Sequence, residues 1–600
     1  MRRIRNPRQT RLFDPYDPVL TERTRQALLA DWPGVFRHVL LELMPVEALG
    51  AEFDPVEGRP TKELYSMAGL LVIKEFMNWT EAQALNAYRF HLDLHYALNL
   101  PPRAQDLSVR TLERYARLFV DHDLASQVMH QVTTTLVREC GLRIDQQRLD
   151  STHVFSNMAS FGRTRLMGVA VKRFLAQVKR HDGAAYEALD EALRQRYAPS
   201  AHRLFGGLAS DEPSRRLLRQ QVAEDMHELI RRFGDDPQHQ HRQTYQLLVQ
   251  VFFQQCEVVE QQVTLKTQTG GAVMQNTSDP EATYDGHKGQ GYQVQLAETC
   301  HPDNAVQLIT AALPQTAVAA DSAALPLVLD ELATQQLLPV TLLADTLYGS
   351  DENVQAAATG GVELVSPTQD GAHAAAASTV AAATDQTDVP TAATDAAFTL
   401  ADFVIVGATE TVTQCPKGQT PASSRHDPGT GKTTSTMPAA ACAACPFFGH
   451  CPMRLVRGVY RLAHTAKQRR LAVRRRQEQT PAFQERYRRR AGIESTNSGV
   501  KRRTGLGQLR VRGQPRVFTA ILLRLVGWNI LRAAACPVLH QKVAQIAQIA
   551  SQGGLFAPIA AIRRHLARLT ARRTLIWPRS AVPRRQPALL PRAARRLSAA

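Results

Sequence analysis

The spacing of apolar residues changes character several times along the chain. Between residues 61 and 100, Leu64, Met67, Leu70, Leu71, Ile73, Phe76 and Met77 fall at the three- and four-residue intervals of a helix with a buried face. Thr80, with Gln83 three positions on, has the form of a capping box and predicts the start of the next helix. A further helix is expected from about Leu107 to Val120, so residues 1–135 read as an all-α N-terminal domain of short helices and tight turns. Two uses fit that pattern equally: a helix-turn-helix reader of DNA, or a cap or dimerisation unit.

At Leu142 the pattern becomes extended, and Asp150 lies inside the run, followed by Ser151 and Thr152. Strand propensity disfavours a mid-strand aspartate, so Asp150 needs a reason: it is either a functional group or an edge or turn residue, a role Asp145 fits equally. Helical spacing returns over residues 160–265, expected to be a helical insertion with no site of its own. Tyr292–Leu296 then alternates apolar and polar residues as a half-buried antiparallel strand does, with Val306–Leu313 as its neighbour. After a helix over about 317–336, the apolar run from Val340 predicts a buried parallel strand with Asp345 at its carboxyl end, where α/β sheets place working residues. Asp351 is placed to cap the next helix, and Glu363–Ser366 to form one more strand. Residues 368–399, rich in Ala, Thr, Asp and Gly without periodicity, read as a low-complexity loop.

Charge sharpens this outline. The 600-residue chain carries a net charge of +17 and a pI of about 9.8, which favours nucleic acid or another anionic surface as partner. The distribution says more: residues 267–400 hold sixteen Asp and Glu against one cation, Lys288, while residues 501–600 hold twenty Lys and Arg and no acid. An acidic centre suits metal ions and a basic flank suits phosphate. The segment 541–600, with arginines from Arg563 to Arg596 broken by prolines, reads as a flexible basic tail. The first residues lack the apolar segment of a secretory signal, and the most apolar stretch, Val517–Leu531, is short and interrupted by Arg524. A cytoplasmic protein with no membrane partner is expected.

Two groups of residues carry candidate chemistry. Cys415, Cys442, Cys445 and Cys451 gather half of the eight cysteines into 37 residues, 412–455 forming a Cys-rich loop. Tetrahedral thiolate ligation of Zn²⁺ fits the set, with His426 or His450 as a substitute ligand; the plainer reading is four reduced cysteines. The second group is Tyr487, Arg490, Glu494 and Lys501, at offsets 0, 3, 7 and 14. At about 100° per residue they share a helical arc of roughly 60°. Such a stripe is normally apolar; this one holds a phenol, two cations and the last carboxylate of the chain. A simple Arg490–Glu494 pair would account for two of its members at a few tenths of a kcal/mol. That account requires no other carboxylate to converge on Glu494.

Taken together, Asp150, Asp345 and Glu494 resemble the acidic set of ribonuclease H-like DDE transposases. Tyr487, Arg490, Glu494 and Lys501 match, at every spacing, the Tyr-x2-Arg-x3-Glu-x6-Lys signature of transposases from a large group of bacterial insertion sequences. Asp150-Ser-Thr, Ala344-Asp345, Tyr348-Gly349, His287-Lys288, the Cys415-Pro-x-Gly turn and the helical front end around Arg59-Pro60 and Leu107–Leu118 support the resemblance, which extends over about residues 40–535. It implies an α/β fold with a ribonuclease H-like mixed sheet over residues 136–540, interrupted by the helical and Cys-rich insertions and preceded by the all-α N-terminal domain. It implies that Asp150, Asp345 and Glu494 hold two Mg²⁺ or Mn²⁺ ions, since hard carboxylate oxygens suit those ions and two metals can activate water and stabilise a leaving 3′ oxygen. Tyr487, Arg490, Lys501 and, with less support, Lys288 would contact DNA, and the protein would act on element ends and target DNA as a homodimer or higher assembly. The alternatives are a ribonuclease H-like nuclease that cuts without joining, and a domesticated, non-catalytic zinc-containing DNA-binding protein.

Overall fold

In the computed structural model, residues 1–7, 14–206, 211–369 and 398–551 are described. The elements that frame the site are, in chain order, helix α1 (Leu64–Phe76), helix α2 (Leu124–Cys140), strand β1 (Gln146–Val154), strand β2 (Gly289–Thr299), strand β3 (Ile309–Thr316), helix α3 (Asp321–Thr334), strand β4 (Thr341–Ala344), strand β5 (Glu363–Val365), helix α4 (Gly492–Thr504) and helix α5 (Gln514–Ala533). The strands lie side by side as β3-β2-β1-β4-β5, with a short strand, Thr283–Asp285, also paired to β2. β2 runs antiparallel to both of its neighbours, β1 and β3, whereas β4 and β5 run parallel to β1. The sheet is therefore mixed, with β1 at the junction between its antiparallel and parallel halves.

The expected helical and extended segments form close to where their spacing placed them. Thr80 and Gln83 make both halves of a capping box, the Gln83 amide N–H donating to Thr80 Oγ1 at 3.2 Å and the Thr80 N–H to Gln83 Oε1 at 2.9 Å. Thr80→Ala is expected to lower stability by about 1 kcal/mol, measurable as a shift in the denaturant midpoint. Two expectations change. β2 is antiparallel but buried on both faces, because it lies between β1 and β3 with helices packed over the sheet. The alternating glutamines Gln293 and Gln295, and Glu298 beyond them, are buried hydrogen-bonding groups rather than a wetted face. Asp351 does not cap its helix: Ser350 does, accepting from the Asn353 N–H, and this leaves Asp351 to pair with Arg470.

α1, α2 and α5 share one continuous core with the sheet, so the helical front end and the strands are packed as a unit. α5 is its central member. Arg524, which interrupts the apolar run, is buried there: it donates to the Thr504 carbonyl at 2.8 Å and pairs with Glu75 at 3.3 Å. Asn529 bonds both the N–H and the carbonyl of Ile309, pinning β3 to α5. Among the described residues no single helix is long and apolar enough to cross a membrane. Between β1 and β2, the helices from Arg163–His181 to Gln243–Gln255 have a separate apolar core that includes Phe174, Phe233 and Phe252, and the end of the expected helical insertion is instead an antiparallel pair of strands, Cys256–Val259 and Gln262–Leu265. The Cys-rich region contains a four-stranded antiparallel sheet and a third, small core. Most of the low-complexity loop (370–397) and of the basic tail (552–600) lies outside the described residues, and the tail's first residues belong to a helix, Pro537–Ser551.

Candidate active site

Three distant segments meet at the carboxyl end of β4. Asp150 projects from β1, and Asp345 follows β4 directly, capping a short 3₁₀ turn by accepting from the Leu347 N–H at 3.0 Å. Glu494 lies in the first turn of α4. The Arg490 guanidinium joins all three: one nitrogen lies 3.2 Å from Asp150 and 3.8 Å from Asp345, and the other 3.1 Å from Glu494. The Arg490–Glu494 pair exists, but it is one edge of a larger convergence.

The approach of α4 to the sheet has identifiable causes. Glu298 on β2, buried, accepts from Thr496 at 2.7 Å and pairs with Arg148 of β1 at 2.6 Å. Arg148 also donates to the Arg489 carbonyl at 3.1 Å, tying the entry of α4 to β1. Beyond α4, the chain pairs with the end of β1, the Phe155 N–H donating to the Gly507 carbonyl and the Leu509 N–H to the Phe155 carbonyl. The signature residues do not occupy one uniform α-helix: Pro481–Arg488 and α4 are separated by a 3₁₀ turn, Arg489–Ala491. That turn carries Arg490, and it lies where the Arg148 and Arg489 bonds fasten the chain to β1.

Burial sets the electrostatics. Removal from water, the largest influence, pushes the carboxyls of Asp150 and Asp345 above the ordinary range, and Arg490 only partly offsets it. The Arg490 guanidinium, although desolvated, is held further into its charged range by Asp150. A desolvated pair of carboxylates with a third acid beside it is a donor set suited to hard divalent cations, whose charge would replace that of the guanidinium.

The remaining expected residues take different positions. Tyr487 stacks on Phe483 and packs against the small core of Cys300, Leu343 and Val365, and burial raises its phenol. Lys501 is half-buried; burial lowers its ammonium and the nearby Asp150 opposes that. Lys288 is held by Asp321 at 2.9 Å, Gln293 at 2.7 Å and Ser151 at 3.1 Å. Sequence reasoning overlooked Asn497, which donates to Asp150 Oδ2 at 3.2 Å. Its offset of ten from Tyr487 extends the same helical arc to roughly 80°, so the signal was available. Asp321, a buried fourth carboxylate, accepts from Gln295, Ser151 and Lys288 behind Asp150, and its place at the start of α3 carried no sequence signal.

Cys415, Cys442, Cys445 and Cys451 line a single cavity of about 280 Å³, together with Phe398, Lys417, Phe447 and Phe448; His426 and His450 are not among its walls. Burial raises the Cys442 and Cys451 thiols, and the neighbouring cysteines raise them further. The sulfurs have not drawn into a group of three within 4.8 Å of one another. The chemistry of the set fits a soft cation that would relieve thiolate repulsion, with the sulfurs moving inward to reach it.

Residues 414–534 match the family model described as a transposase DDE domain. The match spans the Cys-rich region, the Tyr487–Lys501 signature, α4 and α5, and supports a transposase-type protein that acts on DNA. A domain of this kind implies a ribonuclease H-like fold and dependence on divalent metal, in line with the mixed sheet. No curated protein and no solved structure matches the chain.

Proposed function

We propose that this chain is the transposase of a bacterial insertion sequence, acting in the cytoplasm as a dimer or larger assembly on double-stranded DNA. It would cleave phosphodiester bonds at element ends and join the freed 3′ hydroxyls to target DNA. The observation that carries this reading is the convergence of Asp150, Asp345 and Glu494, from two strands and a helix far apart in the chain, within 3.8 Å of one guanidinium. Those three acids would hold two Mg²⁺ or Mn²⁺ ions, which when bound supply the charge that activates water and stabilises the leaving oxygen. The protein's own part is positional: Glu298, Arg148 and Thr496 fix α4 against the sheet, and Asn497 orients the Asp150 carboxylate. Arg490 suits a phosphate by its planar fork, and Lys501 flanks the same face. Tyr487 would add its phenol as a hydroxyl donor to the DNA backbone. Lys288, tied into the Asp321 network, fits a role in shaping the site more readily than a direct contact with DNA.

The N-terminal helices share the core of the sheet, which favours a cap or assembly role over an independent DNA reader. The Cys-rich loop would bind structural Zn²⁺. Metal analysis of the Cys442→Ser protein should show about one zinc equivalent fewer than the parent, and an unchanged content would remove zinc from this loop. The functional reading is tested with pre-cut element ends, Mg²⁺ and a plasmid target. Covalent joining of ends to plasmid is expected. Cleavage of intact ends without joining would favour a nuclease, and neither activity would favour a non-catalytic DNA-binding protein.

A further inference from the structure

The helical segment between β1 and β2 contains a polar cluster that the DNA chemistry does not use. His239 is fully buried, its ring set edge-on against Phe174 and Phe233 at centroid distances of 6.1 and 5.1 Å. Neither ring nitrogen has a hydrogen-bond partner among the described residues, an arrangement that is costly for a buried imidazole. Two carboxylates face its Nε2: Asp182 Oδ2 at 3.8 Å and Asp236 Oδ2 at 3.9 Å. Both distances are too long for hydrogen bonds.

The two aspartates are held in this pose by their other oxygens. Asp182 Oδ1 accepts from the Ala185 N–H at 2.9 Å, capping the helix Gly183–Glu187, and Asp236 Oδ1 accepts from the Gln238 N–H at 2.8 Å. Each therefore presents Oδ2 toward the imidazole. Among the described residues neither carboxylate has a Lys or Arg ion-pair partner; the neighbouring Arg242 donates its Nε to the Gln238 carbonyl instead. A neutral imidazole with its lone pair on Nε2 would meet two anionic oxygens, a repulsive arrangement unless a cation stands between them. Among the described residues this is the one group of three or more such side chains whose ligand atoms lie within 4.8 Å of one another.

We propose that Asp182, Asp236 and His239 bind a divalent transition-metal ion of the zinc class, with solvent completing the coordination. Imidazole with carboxylate is a donor set that Zn²⁺ accepts, and bonds of about 2.0–2.1 Å at a tetrahedral angle place ligand atoms roughly 3.4 Å apart, a short contraction from the distances here. The ion would fasten the end of the helix Arg163–His181 to the turn between the helices Glu212–Phe233 and Gln243–Gln255. It is a clip within the insertion, separate from the carboxylates at Asp150 and from the cysteine cavity.

The test uses the full chain carrying Cys442→Ser, stripped of metal, then given Zn²⁺ and desalted. One zinc equivalent per chain is expected to depend on His239, together with a zinc-dependent rise in melting temperature. Adding His239→Ala should abolish both. Because a cavity at His239 can itself disturb folding, Asp182→Asn with Asp236→Asn provides a second variant that keeps size and the backbone bonds and should also lose zinc. Zinc content and thermal shift unchanged in either variant would overturn the proposal. So would a stabilisation that follows acidification but not zinc, since that outcome makes His239 a proton acceptor rather than a ligand.

Discussion

Asp150→Asn or Asp345→Asn is expected to reduce Mg²⁺-dependent cleavage of element ends by about a thousandfold or more, roughly 4 kcal/mol of transition-state stabilisation. Each substitution keeps the shape of the side chain and removes one anionic donor from a site where three acids gather about a single cation. Cleavage of supercoiled DNA bearing element ends provides the measurement, and near-parental rates in either variant would remove these carboxylates from catalysis. Stability should move the other way. Burial raises both carboxyls, so their contribution to stability is present below the unfolded pKa and is lost as pH rises through the higher folded value. At neutral pH, without divalent cations, the ionised pair therefore weakens the fold. Asp150→Asn should raise the melting temperature there, and the advantage should disappear in acid. A lower melting temperature at neutral pH would mean that pairing with Arg490 outweighs desolvation.

Gly527→Ala is expected to destabilise the protein by about 3 kcal/mol or more, read as a shift in the denaturant midpoint. Glycine to alanine within an ordinary exposed helix would stabilise by about 1 kcal/mol, so the sign is diagnostic. Gly527 lies in α5 where it crosses α1, and an added Cβ would sit 1.7 Å from Phe76 Cβ and 2.4 Å from its Cγ. Phe76 is buried, and its Cβ cannot rotate away from its own backbone. The helices would have to part. α5 also carries Arg524, which holds the last turn of α4, and Asn529, which holds β3, so loss of activity should accompany the loss of stability. A stability unchanged by the substitution would show that the helices do not approach so closely.

The amino-acid sequence by itself determined the parts that depend on local periodicity and on residue type at fixed spacing. Helical spacing in α1, the Thr80–Gln83 box and the apolar run of β4 were legible because each follows from neighbours within a few turns. Asp150, Asp345 and Glu494 stood out because strands and basic helices rarely carry such acids without cause. What only the tertiary structure decided was contact between distant segments. Arg490 bridges three carboxylates because Glu298, Arg148 and Thr496 bring α4 against β1 and β2, across some 200 to 340 residues of chain. The polar residues of β2 proved to be buried bonding groups because helices cover both faces of the sheet. Lys288 is the one cation of an acidic stretch of sequence, and only the fold shows which carboxylate, Asp321, stands beside it. His239 gave no sequence signal at all: its chemistry arises from two aspartates brought to it by helix ends, and spacing along a chain does not reveal which side chains a fold leaves without partners.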